Sequence, residues 1–388
     1  MNKSSVFSLL LSTLLLSSFG GLPSAAQVDQ TTVATVAPAA NSESPRLAAI
    51  RAMVRQAVQE QGIPGYAIAI VQSGRVVFCQ TCGQADLNNA RPVDENTIFG
   101  LASLTKTFTG FALLHLIDEG KVEPTDRLDK YLGNLPDSWK KMTIFQLASM
   151  RAGLPESRAE ELPWPQEMRY LEGQPLAYEP DSKHVYSNPS YRVLGTVIEA
   201  VTGMPFLEYL NQTIFEPLQM RSTGTCESLS STGRLSSQYV GPPGGQVRRI
   251  PPKDPATNFS AGMLASSLHD LCAYSMALLD HKILSAAAYQ VYFVERPALS
   301  TGEPCPWAYG WGASVNPNIK QRVNGMNGGL PGVASSIMLL PDAKIAVVAL
   351  ANLRRKPVYN IAKRAMLMYV GADASGAPNE ADAVGQGQ

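Results

Sequence analysis

The first strong pattern along the chain is a stripe of apolar residues at helical spacing, followed by two short apolar runs. A helix is predicted to begin with Ser44 as its cap and Pro45 at its first position, and to end at Gly62. Its apolar stripe is formed by Leu47, Ile50, Val54 and Val58. Residues 66–72 and 75–82 flank Ser73-Gly74, so together they predict a β-hairpin.

The middle of the chain has mostly helical apolar spacing, and strands return after it. Helices are predicted at residues 104–118, 143–149, 190–202 and 268–279, strands at 308–315, 335–340 and 345–351, and a closing helix at 357–369. Strands at both ends with helices between them predict an α/β fold. A sheet lobe, about 44–100 and 289–371, would hold a largely helical lobe, about 101–288, with a cleft at the seam.

The two ends of the chain do not fit this pattern. Lys3, the apolar run from Val6 to Phe19 and the small residues before Gln27 predict a signal peptide at 1–26, because the run is shorter than the roughly 20 residues of a bilayer-spanning helix. Residues 27–43 have the composition of a flexible linker, and 372–388 that of a disordered tail. We therefore expect a periplasmic or secreted protein with no stable membrane anchor after signal removal.

Composition narrows the possible classes of function. Apolar residues make up 45% of the 388 residues and charged residues only 16%, which excludes a wholly disordered chain. Lys plus Arg equals Asp plus Glu at 32 each, with the basic residues scattered, so no nucleic acid partner is expected. Cys79 and Cys82 have C-x-x-C spacing, but no second pair or histidine cluster completes a zinc site, so they are interpreted as packing residues. Neither a metal nor an organic cofactor is expected.

The first candidate for chemistry is Ser103-Leu104-Thr105-Lys106 at the start of a predicted helix. Spacing of i and i+3 places Ser103 and Lys106 on one helical face. A desolvated lysine can take the proton of a serine hydroxyl and so activate it as a nucleophile. The same pattern recurs at Ser138-Trp139-Lys140-Lys141, which lies in a polar stretch and is interpreted as solvated surface.

Two further short motifs come later in the chain. Tyr186-Ser187-Asn188 offers a proton relay and an amide that could hold a substrate carbonyl, whereas Tyr209-Leu210-Asn211, with similar letters, lies on an amphipathic helix. Met326-Asn327-Gly328-Gly329 precedes a predicted strand, and its glycines would let a substrate backbone approach closely. The alternative for this last motif is an ordinary hairpin turn.

Other hydrolytic chemistries lack their motifs. No serine lies in G-x-S-x-G, and His115, His184, His269 and His281 show no metal-ligand spacing. His184 precedes Tyr186 by two residues and could line the cleft, but the four histidines are interpreted as surface or packing residues.

Taken in order, the three motifs resemble those of the penicillin-recognising serine hydrolases: class C β-lactamases, D-alanyl-D-alanine peptidases and β-lactamase-like carboxylesterases. The similarity extends over about Leu47 to Val370. It includes the framework segments 191–195, 216–220, 260–264 with Asp270, and 328–332. It implies a β-lactamase-like serine hydrolase domain at 44–371, with an antiparallel sheet flanked by helices.

The resemblance also implies a role for each matching residue. Ser103 would be the nucleophile, Lys106 its base, Tyr186 the relay to the leaving group, and Asn188 a contact for the acyl side chain. Backbone N–H groups of Ser103 and Gly329 would form the oxyanion hole, and Met326, Asn327 and Gly328 would line the substrate site. Two segments depart from the family pattern: Met326 replaces a Lys or His, and Met150-Arg151-Ala152-Gly153 replaces a His-Thr-Ser-Gly type loop.

Loss of the cation at position 326 favours substrates without an essential carboxylate. We therefore expect an acyl-enzyme hydrolase for a small-molecule ester, amide or peptide, namely an esterase or a D-amino-acid amidohydrolase or peptidase. A β-lactamase or D-alanyl-D-alanine carboxypeptidase is the alternative within the same chemistry. A non-catalytic ligand sensor with the same fold is the alternative from another class.

Overall fold

The computed structural model describes residues 43–156, 162–243, 245–293, 302 and 305–372. The predicted signal peptide, residues 27–42 of the linker and residues 373–388 of the tail lie outside the described residues. The strands are β1 (Gly65–Gln72), β2 (Arg75–Asp86), β3 (Arg91–Pro92), β4 (Ile98–Gly100), β5 (Gly224–Thr225), β6 (Gln238–Val240), β7 (Arg248–Ile250), β8 (Leu264–Ser267), β9 (Trp307–Ala308), β10 (Trp311–Asn316), β11 (Gln321–Leu330), β12 (Val333–Leu340) and β13 (Ile345–Ala351).

The helices follow the same chain order. They are α1 (Pro45–Glu60), α2 (Thr105–Asp118), α3 (Asp137–Lys140), α4 (Ile144–Ala148), α5 (Trp164–Glu172), α6 (Asn188–Thr202), α7 (Phe206–Leu210), α8 (Pro255–Asn258), α9 (Leu268–Leu279), α10 (Ala286–Phe293) and α11 (Lys356–Val370). Short 3₁₀ turns at Ala102–Leu104 and Phe259–Ala261 matter for the site below.

The main sheet has eight antiparallel strands in the order β3-β2-β1-β13-β12-β11-β10-β9. Its strands come from both ends of the described chain, and α2 to α10 lie between them in sequence. A smaller sheet, β4-β8-β5, belongs to this intervening stretch. The α/β class, the antiparallel sheet and its flanking helices are confirmed, and the strands of the small sheet were not predicted.

Helices cover both faces of the main sheet because its central strands are apolar on both. Along β1, Tyr66, Ile68 and Ile70 pack with residues of α1 and α11, whereas the alternate alanines and Val71 pack with the helices of the other face. Cys79 and Cys82 also fall on opposite faces, since three residues along a strand reverse the direction of the side chain. The C-x-x-C pair is therefore two packing residues.

Strand β11 shows that the alternative interpretation of the third motif, an ordinary hairpin turn, is wrong. Met326 to Gly329 lie inside β11, and the turn is the following pair Pro331-Gly332, where Gly332 has a φ of 75°. Strand propensities do not predict β11, because it is rich in glycine and asparagine, and these residues are rare in strands. Strand β10 pairs with β11 only as far as Gly325, so β10 does not cover the motif's outer edge.

Helix α2 is the central helix of the larger core, and its residues from Thr105 to Leu114 are all buried. The turn between β9 and β10 lies directly against it. A Cβ atom on Gly110 would lie 1.8 Å from the carbonyl oxygen of Tyr309, and one on Gly310 would lie 2.3 Å from that of Lys106. Helix and turn can approach this closely only because both positions are glycine.

Among the described residues, no single helix is both long and apolar enough to cross a bilayer. The bent pair Asn188–Thr202 and Phe206–Phe215 reaches that length and composition only when its two parts are taken together.

The contact between α2 and the β9–β10 turn predicts that Gly110→Ala is destabilising. The added methyl group overlaps a backbone oxygen that cannot rotate away, and such overpacking costs about 1–3 kcal/mol. The matched control is Gly133→Ala, because a Cβ atom there meets nothing within 4 Å. Thermal unfolding monitored by circular dichroism should give a lower Tm for Gly110→Ala than for Gly133→Ala. Equal melting temperatures would contradict the close packing.

Candidate active site

Ser103 lies in a 3₁₀ turn that connects strand β4 to helix α2. The preceding Ala102 has a φ of 49°, in the left-handed region that favours glycine. Two hydrogen bonds hold the neighbouring Leu101: its N–H donates to the carbonyl of Leu264 at 2.8 Å, and its carbonyl accepts from the Ser335 hydroxyl at 2.6 Å. These bonds fix the strained turn, and Ser103 stays partly accessible among buried neighbours.

Lys106 is the central group of the site and is completely buried. Its Nζ lies 3.2 Å from Ser103 Oγ, 2.7 Å from Asn188 Oδ1 and 2.9 Å from the carbonyl oxygen of Ala261. A neutral amine has two N–H donors and one lone pair. The amide oxygen and the carbonyl can take both donors, which leaves the lone pair for the hydroxyl of Ser103. The geometry is therefore that of a base beside a nucleophile.

The electrostatic environment favours the neutral form of Lys106. Burial lowers the pKa of Lys106 well below its usual value, and the positive charge of Arg192 lowers it further, while Glu156 acts in the opposite direction. Arg192 lies one turn after Asn188 on α6 and is ion-paired with the buried Glu167 of α5. Its charge is thereby kept in the interior close to Lys106.

Tyr186 completes the polar group around Ser103. Its ring lies under Lys106, with Nζ 4.9 Å from the ring centroid, and it packs edge-on against Trp307. Burial raises the pKa of the Tyr186 phenol, and a hydrogen bond with Ser103 offsets part of that effect. At neutral pH the phenol therefore keeps its proton, so it is suited to passing protons on and not to acting as a resident anion.

Asn188 is the first residue of helix α6, and the Ser187 side chain caps this helix by accepting a hydrogen bond from the N–H of Ser190. The Asn188 side-chain oxygen holds Lys106, and its backbone N–H donates to Glu156 Oε1 at 3.2 Å. Only its amide nitrogen is left for a substrate. The structure thus gives Asn188 a contact with the candidate base that the sequence interpretation did not include.

The register of β11 decides where the N–H of Gly329 points. Leu330 and Val333 close a two-residue hairpin, so they form a hydrogen-bonded pair, and bonding alternates along the strand from there. Gly328, opposite Ser335, directs its N–H and C=O towards β12. Gly329, opposite Ala334, directs both groups away from β12, to the outer edge of β11. This is the direction required of an oxyanion-hole donor.

Gly328 sets how closely this strand approaches the nucleophile turn. A Cβ atom on Gly328 would lie 1.9 Å from the Leu101 carbonyl oxygen and 2.9 Å from the backbone nitrogen of Leu104. The Ser335 hydroxyl ties the same carbonyl to β12. The two candidate donors, the N–H groups of Ser103 and Gly329, therefore belong to backbone segments in direct contact.

The side chains of Met326 and Asn327 are placed differently from Gly328. Met326 is 4% exposed and packs in the core shared with the helices, on the same face as Gly328. Asn327 projects from the opposite face, and its Oδ1 accepts a hydrogen bond from the Ser336 hydroxyl at 2.8 Å. The structure brings together Ser103, Lys106, Tyr186, Asn188 and the Gly328-Gly329 backbone, but not the side chain of Asn327.

The rival motifs lie elsewhere. Ser138 is exposed on α3, and Tyr209 is buried on α7 with its hydroxyl 3.0 Å from Nδ1 of His115. His184 precedes Tyr186 in a half-buried position, where burial and Arg151 lower its pKa to about 4. Arg151, in the departing segment, forms a 3.1 Å ion pair with Asp181 and so ties its own segment to the Tyr186 loop.

Two groups near Lys106 were not identified from the sequence. The Ala261 carbonyl is a backbone atom in the turn Phe259–Ala261, and no residue letter marks such an acceptor. Glu156 follows Gly153-Leu154-Pro155 and has no motif of its own. Glu156 accepts a hydrogen bond from the backbone N–H of Asn188 and raises the pKa of Lys106, and only the three-dimensional structure reveals these interactions. Among the described residues, no cluster of three or more His, Cys, Asp or Glu could hold a metal ion.

Comparison with solved structures agrees with this fold. The octameric penicillin-binding protein homologue from Pyrococcus abyssi is 24% identical, with a TM-score of 0.75 over 85% of this chain and 78% of that one. The D-amino acid amidase from Ochrobactrum anthropi SV3, complexed with L-phenylalanine amide, is 22% identical, with a TM-score of 0.73 over 84% of this chain and 99% of that one. At these identities the likeness establishes the fold.

Comparison of sequences establishes the family. Penicillin-binding protein 4* of Bacillus subtilis is 25% identical over 74% of this chain and 67% of its own length. A beta-lactamase of Escherichia coli K12 is 30% identical over 43% of this chain and 45% of its own. The Beta-lactamase family model matches residues 50–369, which span the whole main sheet and the site around Ser103. The chain therefore belongs to the Beta-lactamase family and is a serine hydrolase of that family.

Proposed function

We propose that this protein is an exported serine hydrolase that forms an acyl-enzyme on Ser103, acting as an esterase or D-amino-acid amidohydrolase. The observation that carries the mechanism is the fully buried Lys106, with Ser103 Oγ at 3.2 Å and an acceptor for each remaining N–H. Export is supported by the signal-peptide pattern of residues 1–26, and places the mature protein in the periplasm or outside the cell.

In the proposed reaction, Ser103 Oγ attacks the substrate carbonyl carbon while its proton passes to Lys106 Nζ. The N–H groups of Ser103 and Gly329 stabilise the oxyanion. Tyr186 then carries a proton to the leaving nitrogen or oxygen, and the bond from that atom to the carbonyl carbon breaks. Water attacks the carbonyl carbon of the resulting ester, the bond from that carbon to Ser103 Oγ breaks, the acyl group leaves as a carboxylic acid, and one proton of the water returns to Ser103 Oγ.

Glu156 supports a preference for substrates with a free ammonium group. Its carboxylate is exposed, accepts a hydrogen bond from the backbone N–H of Asn188 and interacts electrostatically with Lys106, so it can take a further stabilising partner from a substrate. A cation would supply one, whereas a substrate carboxylate would be repelled. With the buried Met326 in place of a cation, this favours amides or esters of amino acids. The fold neighbour that is a D-amino acid amidase agrees with this class.

The second candidate is a β-lactamase or D-alanyl-D-alanine carboxypeptidase, the activities named for several sequence relatives. Both classes act on substrates with a carboxylate close to the scissile bond. The negative charge of Glu156 and the missing cation at Met326 count against them. A non-catalytic sensor is the third candidate, and the Ser103–Lys106 geometry counts against it.

Removal of the nucleophile tests the mechanism first. Ser103→Ala is expected to abolish covalent labelling by a fluorophosphonate probe, measured as the mass increase of the intact protein. Ser138→Ala, at the exposed second S-x-x-K match, is the control and should label as the wild type does. Labelling that survives Ser103→Ala would exclude Ser103 as the nucleophile.

The pKa of Lys106 predicts the pH dependence of acylation. Only neutral Lys106 can accept a proton, so kcat/KM should rise with pH through the lowered pKa and level off well below pH 10.5, the usual value for lysine. Lys106→Met should lower kcat/KM by about 10²- to 10⁴-fold, the usual contribution of a general base. A folded Lys106→Met variant with normal turnover would leave the lysine a structural role only.

The role of Glu156 can be tested with a matched pair of substrates. Glu156→Gln should lower kcat/KM for D-phenylalanine p-nitroanilide by about tenfold, the effect of losing one charge-assisted contact. The N-acetylated anilide, which lacks the ammonium group, should be much less affected. Glu179→Gln removes the same charge from an exposed position and serves as the control. Equal losses for both anilides would show that Glu156 does not recognise the ammonium group.

A further inference from the structure

Tyr359 of helix α11 donates a hydrogen bond from its hydroxyl to the carbonyl oxygen of Gly328 at 2.9 Å. That carbonyl and the N–H of Gly329 belong to one planar peptide unit and point in opposite directions. A donor that fixes the C=O therefore fixes the N–H as well. The N–H concerned is the second candidate donor of the oxyanion hole.

Tyr359 approaches the Gly328–Gly329 peptide from the face of the sheet opposite Ser103. The position of a Cβ on Gly328 faces the nucleophile turn, whereas on Gly329 it faces α11, as alternation along a strand requires. A Cβ atom on Gly329 would lie 2.8 Å from Arg354 Nε and 2.9 Å from the Tyr359 hydroxyl oxygen. Both side chains therefore lie directly against the backbone of Gly329.

The positive charge of Arg354 strengthens the Tyr359 hydroxyl as a donor to the peptide. Arg354 precedes α11 and is exposed, and its charge lies close to the phenol, which donates to the Gly328 carbonyl. A nearby cation polarises the O–H bond, so the arginine makes the phenol a stronger donor. A more polarised Gly328 carbonyl in turn makes the Gly329 N–H a better donor to developing negative charge.

We propose that Tyr359, assisted by Arg354, is a positioning residue that holds and polarises the Gly328–Gly329 peptide so that the Gly329 N–H stabilises the oxyanion. Neither side chain touches the substrate in this proposal. The inference rests on the proposed acylation of Ser103, because an oxyanion hole has a function only if Ser103 attacks a carbonyl.

The test is Tyr359→Phe, which removes the hydroxyl and keeps the ring. The variant is expected to lose about tenfold in kcat per active site, counted by fluorophosphonate titration, with KM changed less than twofold. Phenylboronic acid forms a tetrahedral adduct with an active-site serine, so its inhibition constant should weaken by a similar factor. Tyr369→Phe is the matched control, since its hydroxyl lies on the same helix and donates to Gln72.

A purely structural role would give a different result. Tyr359→Phe would then lower the Tm or the number of sites that the fluorophosphonate titrates. Turnover per site and the inhibition constant of phenylboronic acid would match those of the wild type. That result would overturn the proposal. Arg354→Gln, at an exposed position, tests the same step without the risk of misfolding and should lower kcat per site by about threefold. If wild-type Ser103 is not labelled, the proposed function fails first, and this inference fails with it.

Discussion

Complete burial of the Lys106 amine is the constraint on which the rest of the site depends. A lysine removed from water must lose its charge or find partners for it, and here the partners are an amide oxygen, a backbone carbonyl and a hydroxyl. None of the three carries a negative charge. The neighbouring charges oppose one another, because Arg192 lowers the pKa of Lys106 and Glu156 raises it. The amine is therefore kept in the basic form that a serine nucleophile requires.

The partners of Lys106 also explain why the chain must bring distant segments together. Asn188 lies 82 residues away in sequence and Ala261 lies 155 residues away. Helix α6 supplies the first, and the turn beside β8 supplies the second. If either segment moved, the buried amine would lose an acceptor, at a cost of about 1–3 kcal/mol. The base thus stabilises the packing of the same elements that form its site.

The parts of this architecture differ in how far the sequence predicts them. Apolar periodicity located α1, α6, α9 and α11; α1 and α11 each bury one stripe of their surface against the core, whereas α6 and α9 are buried on most sides. Motif spacing pointed to Ser103, Lys106 and Tyr186, which the structure brings together. Strand β11 was missed, because glycine and asparagine are rare in strands, and Gly328 is needed there for its close approach to Leu101. Backbone acceptors such as the Ala261 carbonyl, and contacts across the sheet such as Tyr359 to Gly328, have no signature in the letters.

Rigid placement of the two oxyanion donors has an energetic cost that the packing must offset. Ala102 holds a left-handed φ of 49°, a conformation that costs a non-glycine residue about 1 kcal/mol. The Leu101 N–H and carbonyl are both bonded, to β8 and to Ser335, so the turn cannot relax by rotating away. Because residue 328 is glycine, β11 can pack directly against that turn. The Tyr359 hydroxyl donates a hydrogen bond to the Gly328 carbonyl from the opposite face of the sheet. Strain at Ala102 therefore persists because neighbouring elements fix the backbone on both sides of Ser103. Donors that are already in place need no reorganisation when negative charge develops on a substrate oxygen. This preorganisation lowers the free energy of the transition state and so increases the rate of acylation.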